Sequence, residues 1–407
     1  LENIFDVWPS DPGMKILTFA TLFPNSKRLV FGQFVFERTS RLAARAGNLI
    51  RVVAPVPYFP SWIPSKRWGT YSQIPREETV GNLETIHPRY PLVPGVMPLH
   101  GLFMFLGTYR AARRLQREHH FDCIDAHYVY PDGFAAVLLG KALHLPVVVS
   151  ARGTDINVFP SFAVIRPMIR WTLRRAAGVI AVSAALKNAI TDLGVPADKI
   201  AVIPNGVNVE RFGPIERTVA RDRLGLPRQI KIVVSVGSLT GVKNHHLLIS
   251  AFAQSFANRP DIRLYVLGEG PLLLDLQDLI HKLGGEQQMF LMGMRPNEEL
   301  ANWFNAADLS CLASSREGWP NVVMESLACG TPVVATRVGG IPEIITSEEL
   351  GILVEQNIGS LATGLELGLR RDWNRSIMAS HAQARSWDQV ASEVEKYLTA
   401  HVVRRVE

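Results

Sequence analysis

Short runs of β-branched and apolar residues alternate along this chain with longer stretches in which apolar positions recur at helical spacing, the pattern of parallel α/β architecture. The strand-like runs in the first half are Lys15–Phe19, Leu49–Ala54, Cys123–Ala126, Pro146–Ser150, Gly178–Val182 and Ile200–Ile203. A Pro-Asn-Gly turn at 204–206 and a charged, helix-breaking stretch to Arg228 interrupt the series. It resumes with Lys231–Gly237, Arg263–Leu267, Met289–Leu291, Leu309–Leu312, Pro332–Ala335 and Gly351–Val354. The pattern predicts two Rossmann-like domains, 14–206 and 207–387, facing each other across a deep cleft. A last helix, Asp388 to Val403, is long enough to cross back, so 388–407 is expected to join the first domain. Met14-Lys-Ile-Leu opens a natural first strand, which makes residues 1–13 an extension.

Composition narrows the class. The chain has 407 residues, a usual length for two domains, and 47% of them are hydrophobic. Three cysteines, Cys123, Cys311 and Cys329, stand in apolar surroundings without metal spacing, which fits a reduced, cytoplasmic setting. No run reaches the length of a membrane span; the best candidate, Val93 to Tyr109, is broken by Pro94, Pro98 and His100. The net charge of +6 is uneven: residues 1–215 hold 24 Lys+Arg against 15 Asp+Glu, and the remainder 19 against 22. The excess gathers in Arg110–Arg117 and Arg166–Arg175, two helical stretches suited to an anionic membrane surface, although a solvated helix face accounts for either one alone. No nucleic-acid reader motif accompanies the charge.

The most informative chemistry lies in Ser315-Arg-Glu-Gly-Trp-Pro-Asn-Val-Val-Met-Glu325. It follows a buried strand and opens a helix, the place where ligands bind in open α/β sheets and where free N–H groups favour an anion. Glu317 stands before the helix and Glu325 inside it. Eight residues of helix span about 12 Å, too far for the pair of a retaining glycosidase. The two acids instead grip separate parts of a ligand that is both phosphorylated and rich in hydroxyls. Gly237-Ser-Leu-Thr-Gly-Val-Lys-Asn244 ends another strand, where Lys243 offers a point charge to phosphate. In the first half, His127 closes a strand within Asp125-Ala-His-Tyr-Val-Tyr-Pro-Asp-Gly133, and Arg152 and Asp155 follow the next strand on the same rim. Gly32, in the loop after the first strand, lets backbone approach a diphosphate. Gly268-Glu-Gly-Pro271 is not a dinucleotide fingerprint, and neither a Walker loop nor an Asp-x-Asp pair for a metal-bridged diphosphate is present.

These residues resemble glycosyltransferase family 4, retaining enzymes of the GT-B fold that use nucleotide sugars. The likeness rests on Glu317-Gly-Trp-Pro-Asn-Val-Val-Met-Glu325, which matches the family's E-x7-E pattern. His127 before Pro-Asp-Gly, Arg152-Gly-Thr-Asp155, Pro204-Asn-Gly-Val207, Lys243 and Gly339-Gly-Ile-Pro-Glu343 support it. Phe23-Pro-Asn25 and Val53-Ala-Pro-Val-Pro57 are similar to members that build bacterial exopolysaccharides.

The resemblance implies that Glu317 holds hydroxyls of the donor sugar, Glu325 the ribose, and His127 the sugar near its reacting face. Lys243 and the helix after Pro320 would neutralise the diphosphate, with Gly318, Trp319, Asn321 and Val322 lining the same site. Arg152 and Asp155 would face the acceptor. Where the family carries an arginine in the Lys243 loop this chain has Ser238, so Arg152, Arg295 or Arg316 would have to substitute.

The function so implied is retaining transfer of a hexose from a UDP- or GDP-linked sugar to a lipid-linked or saccharide acceptor. It would serve bacterial surface polysaccharide synthesis at the inner face of the plasma membrane, with no metal and no cofactor. A nucleotide-sugar epimerase or hydrolase on the same fold, or a non-catalytic sugar-binding homologue, are the alternatives.

Overall fold

A computed structural model of the chain describes residues 13–58, 69–93 and 95–403. The stretch read as an extension therefore lies, save Gly13, outside the described residues. The chain divides into two compact units: one runs up to Ala181 and adds 189–203 and everything from Ala391, and the other comprises 182–188 and 204–390.

The first unit is built on an eight-stranded sheet in the order Ile200–Val202, Gly178–Ala181, Val147–Ala151, Cys123–His127, Lys15–Phe19, Leu49–Val53, Leu83–Ile86, Glu77–Val80. All its pairings are parallel except the last, a hairpin between Leu83–Ile86 and Glu77–Val80. That hairpin, and the small parallel pair Val56–Tyr58 with Arg89–Pro91, are strands the sequence pattern did not predict. The central strands are buried along their whole length, as sheets covered on both faces must be. The final helix, Trp387–Val403, packs on this unit from Ala391 onward. Its Tyr397 hydroxyl bonds the Val179 N–H at 3.0 Å and donates to the Lys199 carbonyl at 2.8 Å, and Glu395 accepts from Arg45 and Asn48, both at 2.6 Å.

The second unit carries a six-stranded, wholly parallel sheet in the order Met289–Leu291, Ile262–Leu267, Lys231–Val236, Leu309–Leu312, Val333–Thr336, Gly351–Val354. Side chains alternate across it, so Ile232 and Val234 enter one core while Val233 enters the other. The first core gathers Trp303, Phe304 and Leu327, and the second Leu248, Phe252 and Leu361. The sheet orders matter for function because every residue singled out from the sequence as chemical lies at or just beyond the carboxyl end of a strand, or on the helix that follows.

Candidate active-site residues

In the second unit four loops leave adjacent carboxyl ends and meet backbone to backbone. Gly339 has φ +53, and a Cβ there would stand 1.9 Å from the Glu317 carbonyl oxygen; at Gly268 one would stand 1.9 Å from that of Gly237. The Ser315 N–H donates to the Val242 carbonyl at 2.8 Å, tying the Lys243 loop to the Glu317 loop. This seam brings together two groups predicted separately: the Lys243 ammonium donates to Glu317 Oε1 at 2.6 Å. The Ser314 hydroxyl donates to the same oxygen at 2.7 Å, a contact the sequence reading missed. Both partners of the ion pair are only partly exposed, 20% and 11%, so the contact is worth more than a surface pair.

Four residues on, helix Asn321–Ala328 begins behind Pro320 without a side-chain cap, leaving early N–H groups available to a ligand. Gly318 and Trp319 form the turn into it, Asn321 accepts from Asn205 at 3.0 Å, Val322 packs partly on the core, and Glu325 sits half-buried in the second turn. Ser238 is exposed, its hydroxyl 3.4 Å from that of Thr240. Arg295 is half-buried on the loop after Met289–Leu291, and Arg316 points into solvent.

In the first unit His127 and Asp155, read as part of an open rim, are instead enclosed, while Arg152 beside them is half-buried. Gly32 is the left-handed residue opening helix Gln33–Ala43. His127 is wholly buried, with both ring nitrogens engaged: Nε2 lies 3.2 Å from Asp125 Oδ2 and 2.8 Å from the Arg38 guanidinium, and Nδ1 lies 2.5 Å from that of Arg152. Asp125 and His127, two apart on one strand, face the same side of the sheet, toward the helix that carries Arg38. Arg38, itself 2% exposed, binds Asp125 at 2.5 and 2.7 Å and donates to Ser150 at 2.9 Å. Asp155 does not reach outward: it is buried, accepting the N–H groups of Val129, Gly153 and Arg152 at 2.8, 2.8 and 3.1 Å. It thereby fixes the two loops that follow Cys123–His127 and Val147–Ala151.

Burial governs the protonation of this cluster. It holds the His127 imidazole down to about 3, with the Arg38 cation acting in the same direction. Burial alone would raise Asp125, but Arg38 and His127 overrule it and keep the carboxylate ionised well below the usual range. Arg152 is lowered to about 9 by burial and by Arg38. Asp132, buried on the loop after His127, is raised to about 7 by burial although the Thr21 N–H bonds it. Sequence reasoning had missed Arg38, Asp125 and Asp132. An Asp-x-His on a strand with no exposed residue was the available signal, since a carboxylate there demands a cation.

Comparison with known proteins places these residues in a family. The model for "Glycosyl transferases group 1" matches residues 216–385, and that for "Glycosyltransferase Family 4" matches 70–211. An uncharacterized glycosyltransferase of Methanocaldococcus jannaschii is 30% identical over 290 residues, covering 67% of this chain and 74% of its own. TuaC of Bacillus subtilis (strain 168), a glycosyltransferase ascribed to teichuronic acid biosynthesis, is 28% identical over 362 residues, 86% of this chain and 88% of its own. Among solved structures, HepE of Anabaena in complex with UDP-glucose is 22% identical with a TM-score of 0.69, covering 95% of this chain and 100% of that one.

Proposed function

The chain belongs to glycosyltransferase family 4 and has its GT-B type of fold, and from that premise we propose that it moves a hexose from a nucleoside-diphosphate sugar to a lipid-linked or saccharide acceptor, with retention at the anomeric carbon. The observation that carries the reading is the Lys243–Glu317 contact of 2.6 Å at the head of helix Asn321–Ala328. It sets a carboxylate suited to sugar hydroxyls beside a cation suited to phosphate. In the transfer, the bond between the anomeric carbon and the diphosphate oxygen breaks, the acceptor oxygen bonds that carbon on the same face, and the acceptor proton passes to the departing diphosphate oxygen. Negative charge grows on the leaving diphosphate, where Lys243 and the first N–H groups of the helix stabilise it. No metal is required in this scheme, because the charge is met by the protein's own cation and dipoles.

Arg152 serves the acceptor side, and Asp155 holds its loop. His127 acts through Arg152, since its ring is fully enclosed. The surface-polysaccharide role draws support from the TuaC relationship, and a UDP-linked donor from the ligand of HepE. Peripheral membrane attachment draws support from the two basic helices, His100–His119 and Ile165–Arg175, which both pack on helix Phe134–Leu143. They expose Arg110, Arg113, Arg117, Arg166 and Arg170 along with Leu102, Leu106 and nearby Phe162 and Val164. Among the described residues no helix is long and apolar enough to cross a membrane.

Calorimetric titration with UDP, GDP, ADP and dTDP, with and without magnesium, tests the donor site. Micromolar binding of one nucleotide, unchanged by magnesium, is the expected result. Failure of all four to bind would mean that Ser238 leaves the diphosphate without sufficient charge, and would favour a non-catalytic homologue.

A further inference from the structure

The buried cluster of the first unit has a feature that a sugar-contacting histidine does not need. His127 is touched by two guanidinium groups and one carboxylate; Arg38 and Asp125 are buried with it and Arg152 is half-buried. Guanidinium groups only donate. Nδ1, 2.5 Å from Arg152, must therefore accept, and the ring proton of the neutral imidazole must lie on Nε2, where Asp125 Oδ2 at 3.2 Å receives it. Arg38 Nη2 also contacts Nε2, at 2.8 Å, while donating to the Asp125 oxygens at 2.5 and 2.7 Å, and Nη1 donates to Ser150 at 2.9 Å. Each ring nitrogen thus meets a guanidinium, and what separates them among the described residues is that an acceptor, Asp125, stands beside Nε2.

We infer that Arg38 is a positioning residue: with Asp125 it fixes His127 as the neutral Nε2–H tautomer, aims the Nδ1 lone pair at Arg152, and so sets the direction of the Arg152 guanidinium at the carboxyl edge of the first sheet. The inference rests on the proposed use of Arg152 in transfer, but the tautomer itself does not.

Apart from the direct Arg38 contact with Nε2, the charged groups around the ring agree with this assignment. From the helix, Arg38 supplies a positive charge that opposes protonation of His127 and anchors Asp125. On the histidine's own strand, Asp125 is the sole carboxylate within reach of the ring among the described residues. Ser150, paired in register with His127 on the neighbouring strand, takes the remaining Arg38 contact. Beyond that strand Asp155 spends its oxygens on backbone N–H groups, and on the loop after His127 Asp132 is bound by Thr21. Neither competes for the imidazole. Phe34, from the same helix as Arg38, stands 5.3 Å from the Arg152 guanidinium and holds its other side. Removing Arg38 would leave the Asp125 carboxylate unbalanced beside the ring and favour imidazolium. A proton on Nδ1 would then turn the Arg152 contact from attraction to repulsion.

The test is nitrogen NMR of histidine-labelled protein, the His127 signals being identified by their loss in His127→Gln. In the wild type we expect a protonated Nε2, a bare Nδ1, and no titration between pH 8 and 5.5. A ring protonated on Nδ1, or titrating near its ordinary value, overturns the inference without any variant having to fold. In Arg38→Met the ring should begin to titrate inside that range, while Arg38→Lys should restore part of the wild-type behaviour. With the sugar nucleotide selected by calorimetry, kcat/KM of Arg38→Met should fall at every pH, and by about tenfold more per pH unit below the new midpoint. A uniform loss with the ring unchanged would reduce Arg38 to a structural role and overturn the inference. If no nucleotide binds but the tautomer is as stated, the transferase reading fails while the assignment of the buried cluster stands.

Discussion

Two of the buried histidines, His127 and His245, place a single proton each under the control of packing. His245, 1% exposed at the start of helix His245–Phe256 behind the Lys243 loop, is held by burial to about 4, against an ordinary 6.5. The unfolded chain therefore takes up a proton on this residue that the folded chain refuses. The stability it leaves intact above pH 6.5 is lost as pH falls toward 4, at up to about 1.4 kcal/mol per pH unit. Measured by urea unfolding, the wild type should lose stability relative to His245→Leu across that window; parallel pH profiles would refute it. Residues of this kind are hard to see in sequence. Glu317, Glu325 and Lys243 were legible because they stand in loops and a helix start where charge has no packing reason to be. Arg38 was not, because a charged residue on an amphipathic helix reads as solvated, and only the fold shows it turned against Asp125. Asp155 and His127 were legible as important and misplaced in posture: strand-end position suggested openness, whereas the neighbouring loops close over both.

Elements were read more securely than side-chain directions. The twelve strands marked by apolar β-branched runs all form, with ends shifted by a residue or so, because burial on both faces writes an unbroken apolar signal. Glu77–Val80, Leu83–Ile86, Val56–Tyr58 and Arg89–Pro91 were missed because they are short and partly exposed, so their composition is that of loops. The seam between carboxyl-end loops was likewise hidden, since it is made of main chain. It has a measurable consequence. In Gly339→Ala a Cβ must find room where the Glu317 carbonyl already stands, at a φ that side chains resist. The expected cost is about 1–3 kcal/mol in denaturant unfolding, together with weaker nucleotide binding through a displaced Glu317. Gly359→Ala, at a helical position whose nearest atom is Asn357 Oδ1 at 3.7 Å, should be neutral or slightly stabilising. Equal effects of the two substitutions would show that the seam has no special rigidity.

At the scale of the whole molecule, charge and connectivity set behaviour. The positive excess of the first 215 residues is carried partly by exposed arginines beside exposed apolar side chains, a combination that binds anionic bilayers. Flotation with phosphatidylglycerol vesicles should carry the protein upward at low salt and release it as salt rises; indifference to vesicle charge would remove membrane attachment from the proposal. Connectivity has a different outcome. The first unit begins near the amino terminus, yet Tyr397 and Glu395, which tie Val179, Lys199, Arg45 and Asn48 together, come from a helix at the far end of the chain. A ribosome making this protein must hold the earlier unit unfinished, its Val179 and Lys199 backbone groups waiting for Tyr397, while the whole of the later unit emerges and folds. The domain that starts first is the last to close, and a message cut short within the final helix would yield one finished half and one left open.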